Sequence, residues 1–222
     1  METGITMCLS ARVPVRPVAV SDRVLSVAAL FGIGLEAGGE CALFERVELR
    51  VAPGEVVLIT GASGVGKSTL LRAAEAQIRA LRPGWRIMRL EEIELPTDRA
   101  LVDCFAVPLE EALGHLARAG LSDARVLLRS PAVLSEGQRF RYRLAQFFAS
   151  DAAVLMADEF GATLDRVTAK VVAYGLGKFI RRSVETGRPR AAVLATTYED
   201  LGADLLPAVK VRVGSEMMNV ER

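Results

Sequence analysis

Apolar and polar positions follow two regimes along this chain. Short apolar runs at 56–59, 154–157 and 191–195 have the length and aliphatic content of strands buried on both faces, and 86–90 is a weaker strand candidate. Between them, Ala73, Ala76 and Ile78, then Leu109, Leu113 and Leu116, and then residues 169–182 recur at helical spacing. Strands that alternate with helices predict an α/β fold with a mostly parallel sheet. Upstream, residues 24–35 read as a strand, Ala37-Gly38-Gly39-Glu40 as a turn and 41–51 as a second strand, giving antiparallel strands at the sheet edge. Residues 1–20 hold Pro14 and Pro17 without a clear period and read as a loosely ordered extension. Residues 21–222 then form one domain, in which about 97–149 is a helical insert, with a break at Gly120 and a second helix starting near Leu134.

Composition narrows the class. The chain has 222 residues, long enough for one substantial core with a small insert. Lys+Arg 28 against Asp+Glu 27 gives a formal charge of +1, so no long-range field selects nucleic acid or an anionic membrane. Hydrophobic residues make up 51% and aromatics only 5%, which suits a sheet of Val, Leu, Ala and Ile covered by helices. Cys8, Cys41 and Cys104 are widely spaced and form neither a disulfide framework nor a zinc pattern. The uncharged run 24–35 is well short of the roughly 20 residues of a membrane helix, and Met1 to Cys8 lacks the basic start of a secretion signal. A chain that is soluble by itself in a reducing cytoplasm is expected.

The chemistry centres on Gly61-Ala62-Ser63-Gly64-Val65-Gly66-Lys67-Ser68-Thr69, entered from the strand at 56–59 and followed by helix formers. This is the pattern of a phosphate-binding loop. Its glycines let backbone amides close around phosphate oxygens, Lys67 reaches the β and γ phosphates, and Ser68 offers its hydroxyl to Mg2+. A bound nucleoside triphosphate is expected. Farther on, the strand at 154–157 ends in Asp158-Glu159, at the carboxyl edge of the sheet. Neighbouring side chains on a strand face opposite ways, so the two acids take different roles: Asp158 a metal residue, Glu159 a general base that polarises water. Taken alone, the pair reads equally well as a cap on the following turn.

Leu134-Ser135-Glu136-Gly137-Gln138-Arg139 resembles the Leu-Ser-Gly-Gly-Gln signature of ABC-type ATPases, with Glu136 replacing the first glycine. Ser135 and the amide of Gly137 open a helix, presenting hydroxyl, amides and positive dipole to a γ-phosphate. In that family the phosphate belongs to ATP bound by the other subunit. Gly61 to Thr69 come before this stretch, Asp158 and Glu159 after it, and Gly161-Ala162-Thr163-Leu164-Asp165 looks like the family's next loop, with Asp165 as its aspartate. Four motifs stand in the family's order, over about residues 24–213. The resemblance implies a P-loop NTPase fold of ABC type, ATP and Mg2+ as cofactors, and a homodimer closed on ATP through Ser135, Gly137, Gln138 and Asp165.

Two departures accompany the match. The family's metal-sensing glutamine has no counterpart, since no glutamine lies between Ile78 and Gly137, and Thr97 or Asp98 is the candidate for its place. The family's histidine after the last core strand is replaced by Thr197, whose hydroxyl can bond a phosphate but supplies no positive charge. Slow hydrolysis is expected. His115, the single histidine, falls in the helical insert and reads as an ordinary helix residue. Phe31 is the candidate for the family's adenine-stacking aromatic, and reads equally well as core.

The wording Asp158-Glu159-Phe160, Leu164-Asp165-Arg166, Thr168-Ala169-Lys170 and Ala195-Thr196-Thr197 also looks like a soluble ABC branch often fused to a GNAT-type acetyltransferase. Three functions compete on these grounds. The first is an ATP-driven homodimeric switch acting on a soluble partner such as an acetyltransferase. The second is the nucleotide-binding subunit of a membrane transporter. The third is an ATPase linked to nucleic acid, with Arg139, Arg141, Arg143, Arg181, Arg182, Arg188 and Arg190 as phosphate contacts. Solvated helix faces and dimer-site contacts account for those arginines better.

Overall fold

The run that enters the phosphate loop is a five-residue strand, Val56–Thr60, buried along its whole length. It lies inside a sheet and between two layers, which is why its residues need no polar alternation. The computed structural model describes residues 4–35, 38–214 and 218–221; Ala37, the first residue of the expected turn, lies outside them. In chain order the elements are β1 (Ile5–Val15), α1 (Asp22–Phe31), β2 (Gly39–Val51), β3 (Val56–Thr60), α2 (Lys67–Leu81), β4 (Ile87–Arg89), α3 (Leu109–Arg118), α4 (Ala124–Leu127), α5 (Glu136–Ala149), β5 (Val154–Ala157), α6 (Arg166–Ser183), β6 (Ala191–Thr196), α7 (Gly202–Leu205), β7 (Val209–Val213) and β8 (Met218–Glu221).

Strands β4, β5, β6, β3, β7 and β8 lie side by side in that order. All their pairings are parallel except β7 with β8 at one edge. β1 and β2 form a separate antiparallel pair. Alternation across the sheet divides the core in two. Leu58, Leu155, Ala157 and Leu194 face α5, α6 and the insert. Val57, Ile59, Val154, Met156 and Val193 face α2 and the β1–β2 pair. The expected α/β architecture with antiparallel edges is therefore the one observed.

Three expectations need correction. Residues 24–35 do not form a strand, since most of them lie in the helix α1. Ser21 caps its start, the hydroxyl accepting from Val24 N–H at 3.4 Å, and Gly32 at φ 63 closes its end. An uncharged apolar run satisfies either period, and α1 buries none of its residues, so no packing imposes a pleat on it. The loosely ordered start is instead β1, paired with β2 from Ile5↔Val51 to Val15↔Gly39. Ile5, Met7 and Leu9 are buried with the exposed Thr6 and Cys8 between them, but the register jumps from Leu9↔Val47 to Ala11↔Phe44. At this bulge Arg46 has φ 55 and donates its N–H to Ser10 Oγ at 3.0 Å, which hides the alternation. The insert, finally, is only partly helical. Between Thr97 and Pro108 the chain forms no more than the 3₁₀ turn Leu101–Cys104, and true helix begins at α3.

β7 escaped the sequence reading, although Val209, Val211 and Val213 alternate with Lys210 and Arg212 and pair directly with β3. Among the described residues no helix is long and apolar enough to cross a membrane.

Candidate active site

The phosphate loop leaves β3 at Gly61 and re-enters regular structure at Lys67, the first residue of α2. Gly61, Gly64 and Gly66 have φ of 150°, 81° and 101°, which side chains rarely adopt. At Gly61 and Gly66 the space is closed as well as the torsion, while Gly64 faces open space. A Cβ on Gly61 would lie 2.3 Å from the carbonyl oxygen of Val213, and one on Gly66 2.7 Å from Leu43 Cδ2. Gly66 also precedes α2 without a capping side chain, so the N–H groups of the first turn stay available to an anion. Lys67 is only 7% exposed and donates from Nζ to the Ala62 carbonyl at 2.6 Å. Its charge is thus parked under the exposed tip formed by Ala62, Ser63 and Gly64. Val65 packs into the core below, while Ser68 and Thr69 stay half-buried.

β5 delivers the two acids to the same carboxyl edge of the sheet. Asp158 is half-buried and its Oδ1 accepts from the N–H of Glu159 at 3.0 Å. Glu159 is exposed and held at φ 50, a left-handed backbone for a residue with a side chain. The chain beyond it is fixed: Phe160 is buried, its N–H donates to Ala195 O at 2.8 Å, and its carbonyl accepts from Thr196 Oγ1 at 2.9 Å. A cavity of about 210 Å³ opens beside the acids, lined by Glu91, Glu136, Arg143, Asp158, Glu159 and Thr163 among others. Ser68 and Asp158 are hard oxygen donors of the kind Mg2+ takes together with phosphate oxygens and water.

The stretch at 134–139 starts α5 with a reciprocal cap. Ser135 Oγ accepts from Gln138 N–H at 3.3 Å, while Gln138 Oε1 accepts from Ser135 N–H at 3.0 Å. Gly137 is backed by the loop after Glu159, for a Cβ there would stand 3.2 Å from Thr163 O and 3.3 Å from Leu164 Cδ2. That loop ends at Asp165, which caps α6 by accepting from Thr168 N–H at 3.0 Å. Hydrogen bonds from Thr168, side chain first, hold the Asp165 carboxyl below the ordinary range.

The AAA ATPase domain family matches residues 41–195. An aliphatic sulfonates import ATP-binding protein from Delftia acidovorans is 35% identical over 182 residues, spanning 77% of this chain and 73% of the relative. The chain belongs to the ABC-type ATPases. A cytochrome c biogenesis ATP-binding export protein from Zymomonas mobilis is 34% identical over 60% of this chain. That match spans 65% of the Zymomonas protein's own length, and another, to a sulfonates import protein from Cupriavidus pinatubonensis, spans 48%. A dimeric ATP-binding cassette solved in a post-hydrolysis state with ADP and Pi shares the fold at a TM-score of 0.60 and 19% identity, covering 84% of this chain and 94% of its own.

In this ATPase several expected residues stand apart from the cavity. Thr97 and Asp98 are exposed, and Asp98 pairs with its neighbour Arg99 at 3.2 Å. The carboxylate that reaches the cavity from this part of the chain is Glu91. Register explains it: Arg89 pairs with Met156 in parallel, which sets the segment just past β4 beside the segment just past β5. Thr197 is exposed after the buried Thr196, whose hydroxyl is already committed to Phe160 O and the N–H of Tyr198. Phe31 lies on α1 and is 68% exposed; the side chain that the structure seats on the phosphate loop from upstream is Leu43. His115 stays on α3 with Glu111 at 3.5 Å, and burial, then Arg118, lower its pKa.

Gly61→Ala tests the loop directly. Both torsion and the Val213 carbonyl oppose it, so labelled ATP should bind at least about tenfold more weakly in an equilibrium titration.

Proposed function

We propose that this chain binds and hydrolyses ATP as a homodimer, each copy supplying the phosphate loop of one site and the start of α5 to the other. The observation that carries this reading is that β3 and β5 run parallel on either side of β6, so that the three-glycine loop over Lys67 and the Asp158–Glu159 pair leave the same edge of the sheet. Lys67 exchanges the Ala62 carbonyl for the β and γ phosphates, and the free N–H groups of α2 bind the same oxygens. Ser68 and Asp158 would hold Mg2+, which neutralises phosphate charge when bound. Glu159 takes a proton from water as its oxygen bonds the γ-phosphorus and the bond to the bridging oxygen breaks. Ser135, Gln138 and the Gly137 amide of the second copy close over the γ-phosphate, and Asp165 keeps the 161–164 loop under Gly137. Thr197 contributes a neutral hydrogen bond.

The closing and opening of the dimer would be transmitted to a partner. The resemblance to acetyltransferase-fused cassettes supports a soluble one. A second reading, the nucleotide-binding subunit of a membrane transporter, is supported by relatives named as import and export ATP-binding proteins. Support for nucleic acid is thinner: Arg139, Arg141, Arg181 and Arg190 donate from terminal guanidinium nitrogens to backbone carbonyls within the chain and Arg143 lines the cavity beside Asp158, leaving Arg182 and Arg188.

Lys67→Ala should weaken ATP binding by about 10- to 100-fold, the worth of charge-assisted contacts to phosphate. Unchanged affinity by titration would refute the site. For the partner, tagged protein purified from its host in Mg-ATP and mild detergent should retain a soluble protein at equal amount; an integral membrane protein instead would establish the transporter reading.

A further inference from the structure

The cavity beside Asp158 and Glu159 is strongly acidic. Four carboxylate side chains line it, Glu91, Glu136, Asp158 and Glu159, and Arg143 is the one basic side chain among its lining residues. Two of the acids already have cations. Glu136 pairs with Arg139 at 2.7 Å, and Glu91 is taken by Arg89, with Nε to Oε1 at 3.0 Å. Asp158 and Glu159 have no ion pair among the described residues, so the γ-phosphate of a nucleotide whose Mg2+ is held at Asp158 would add its charge to theirs.

Arg143 is placed to answer that charge. It stands on the same face of α5 as Glu136 and Phe140, two turns in from the Ser135 cap. Nε donates to the carbonyl of Ile93 at 3.1 Å, which fixes the plane of the guanidinium. Its two terminal nitrogens have no acceptor, and no carboxylate lies within 4.0 Å of them, among the described residues. Neighbouring arginines of the helix are spent otherwise: Arg139 on Glu136 and Ala132 O, Arg141 on Gly137 O and Gly120 O. An anchored guanidinium with a free fork, facing a half-open acidic cavity, is preorganised for a bidentate oxyanion.

We propose that Arg143 is a catalytic residue of this ATPase, whose free fork meets the γ-phosphate oxygens in its own chain's cavity and supplies there the positive charge that Thr197 lacks. The inference rests on the proposed ATP hydrolysis and adds to it a residue outside the motifs. The same contact would read the nucleotide, because ADP has no γ-phosphate for the fork to hold. Through Ile93 it would also tie the segment after β4 to the state of the nucleotide.

The test separates charge on the γ-phosphate from structural support. ATP and ADP affinities are measured by competition against a fluorescent nucleotide for the parent, Arg143→Met, Arg143→Lys and Lys67→Ala, with melting temperature and turnover in parallel. Arg143→Met should lose about tenfold in ATP affinity with ADP affinity within about twofold, and turnover should fall about 100-fold. Arg143→Lys should restore most of the preference for ATP, since it keeps the charge but not the fork. Equal losses for ATP and ADP would reduce Arg143 to a tether of Ile93, and parental affinities with parental turnover would overturn the proposal outright. A parent that binds neither nucleotide would refute the ATPase reading itself, a result distinct from both.

Discussion

Glu159→Gln should lower ATP turnover by about 100- to 1000-fold while nucleotide affinity stays within about twofold. The substitution preserves shape and removes only the group that can take a proton. Its site tolerates the exchange, since the side chain is exposed and its backbone N–H, not its carboxylate, makes the bond to Asp158. The left-handed φ of 50° is retained by either residue at a similar cost of roughly 1–2 kcal/mol, so stability should not move. That torsion is held by Phe160, locked between Ala195 and Thr196. With hydrolysis blocked, ATP should accumulate a closed dimer, doubling the apparent mass in size-exclusion chromatography with Mg-ATP but not with ADP. Turnover equal to the parent would remove Glu159 as the base. A slow variant that stays monomeric in ATP would instead refute the paired-site mechanism and leave the base intact.

Arg190→Met should destabilise the fold by about 3 kcal/mol, a fall in melting temperature of roughly 6–12 °C by circular dichroism. Arg190 is 5% exposed and has no carboxylate partner among the described residues. Its guanidinium instead caps the end of α5, donating to Phe147 O at 2.7 Å and to Ser150 O, while its backbone N–H donates to the buried Ser183 Oγ at 2.8 Å. The rings of Phe147 and Phe179 lie against it at 5.3 and 5.2 Å. Burial first, then Arg188, depress its pKa, but the group stays charged through the neutral range. Methionine fills the space between the rings, leaves the Ser150 carbonyl without a donor and leaves Phe147 O only its bonds from the Ser150 N–H and hydroxyl. Arg190→Lys should recover part of the loss through one hydrogen bond. A melting point within 2 °C of the parent would mean that water from the adjoining cavity, lined by Ser150 and Arg188, satisfies those carbonyls.

Some of this was open to reading from residues alone. The phosphate loop is dense in local requirements: an all-apolar strand, glycines at torsions only they hold easily, and a lysine at the first turn of a helix. The strand ending in Asp158-Glu159 and the Ser135–Gln138 cap are likewise short-range, so residue order specified them. The helical nature of 22–31 was not legible, because an uncharged run has no polar face to set its period. β1 was hidden by a bulge that shifts the alternation at Ser10, and β7 by Lys210 and Arg212, which break its apolar run into single valines. Thr97 and Asp98 looked like substitutes for the missing glutamine because they fall in the right part of the chain. Distance along the chain says nothing about which carboxylate reaches a cavity.

By itself, then, the sequence determined the family, the phosphate loop and the two acids, since each depends on contacts within a few residues. Only the tertiary structure decided that Glu91 and Arg143 join those acids. The parallel register of β4 with β5 carries one to the site, and the packing of α5 against the segment after β4 carries the other. Both are consequences of burial on a shared sheet, a property of pairs of elements that no single stretch of residues encodes.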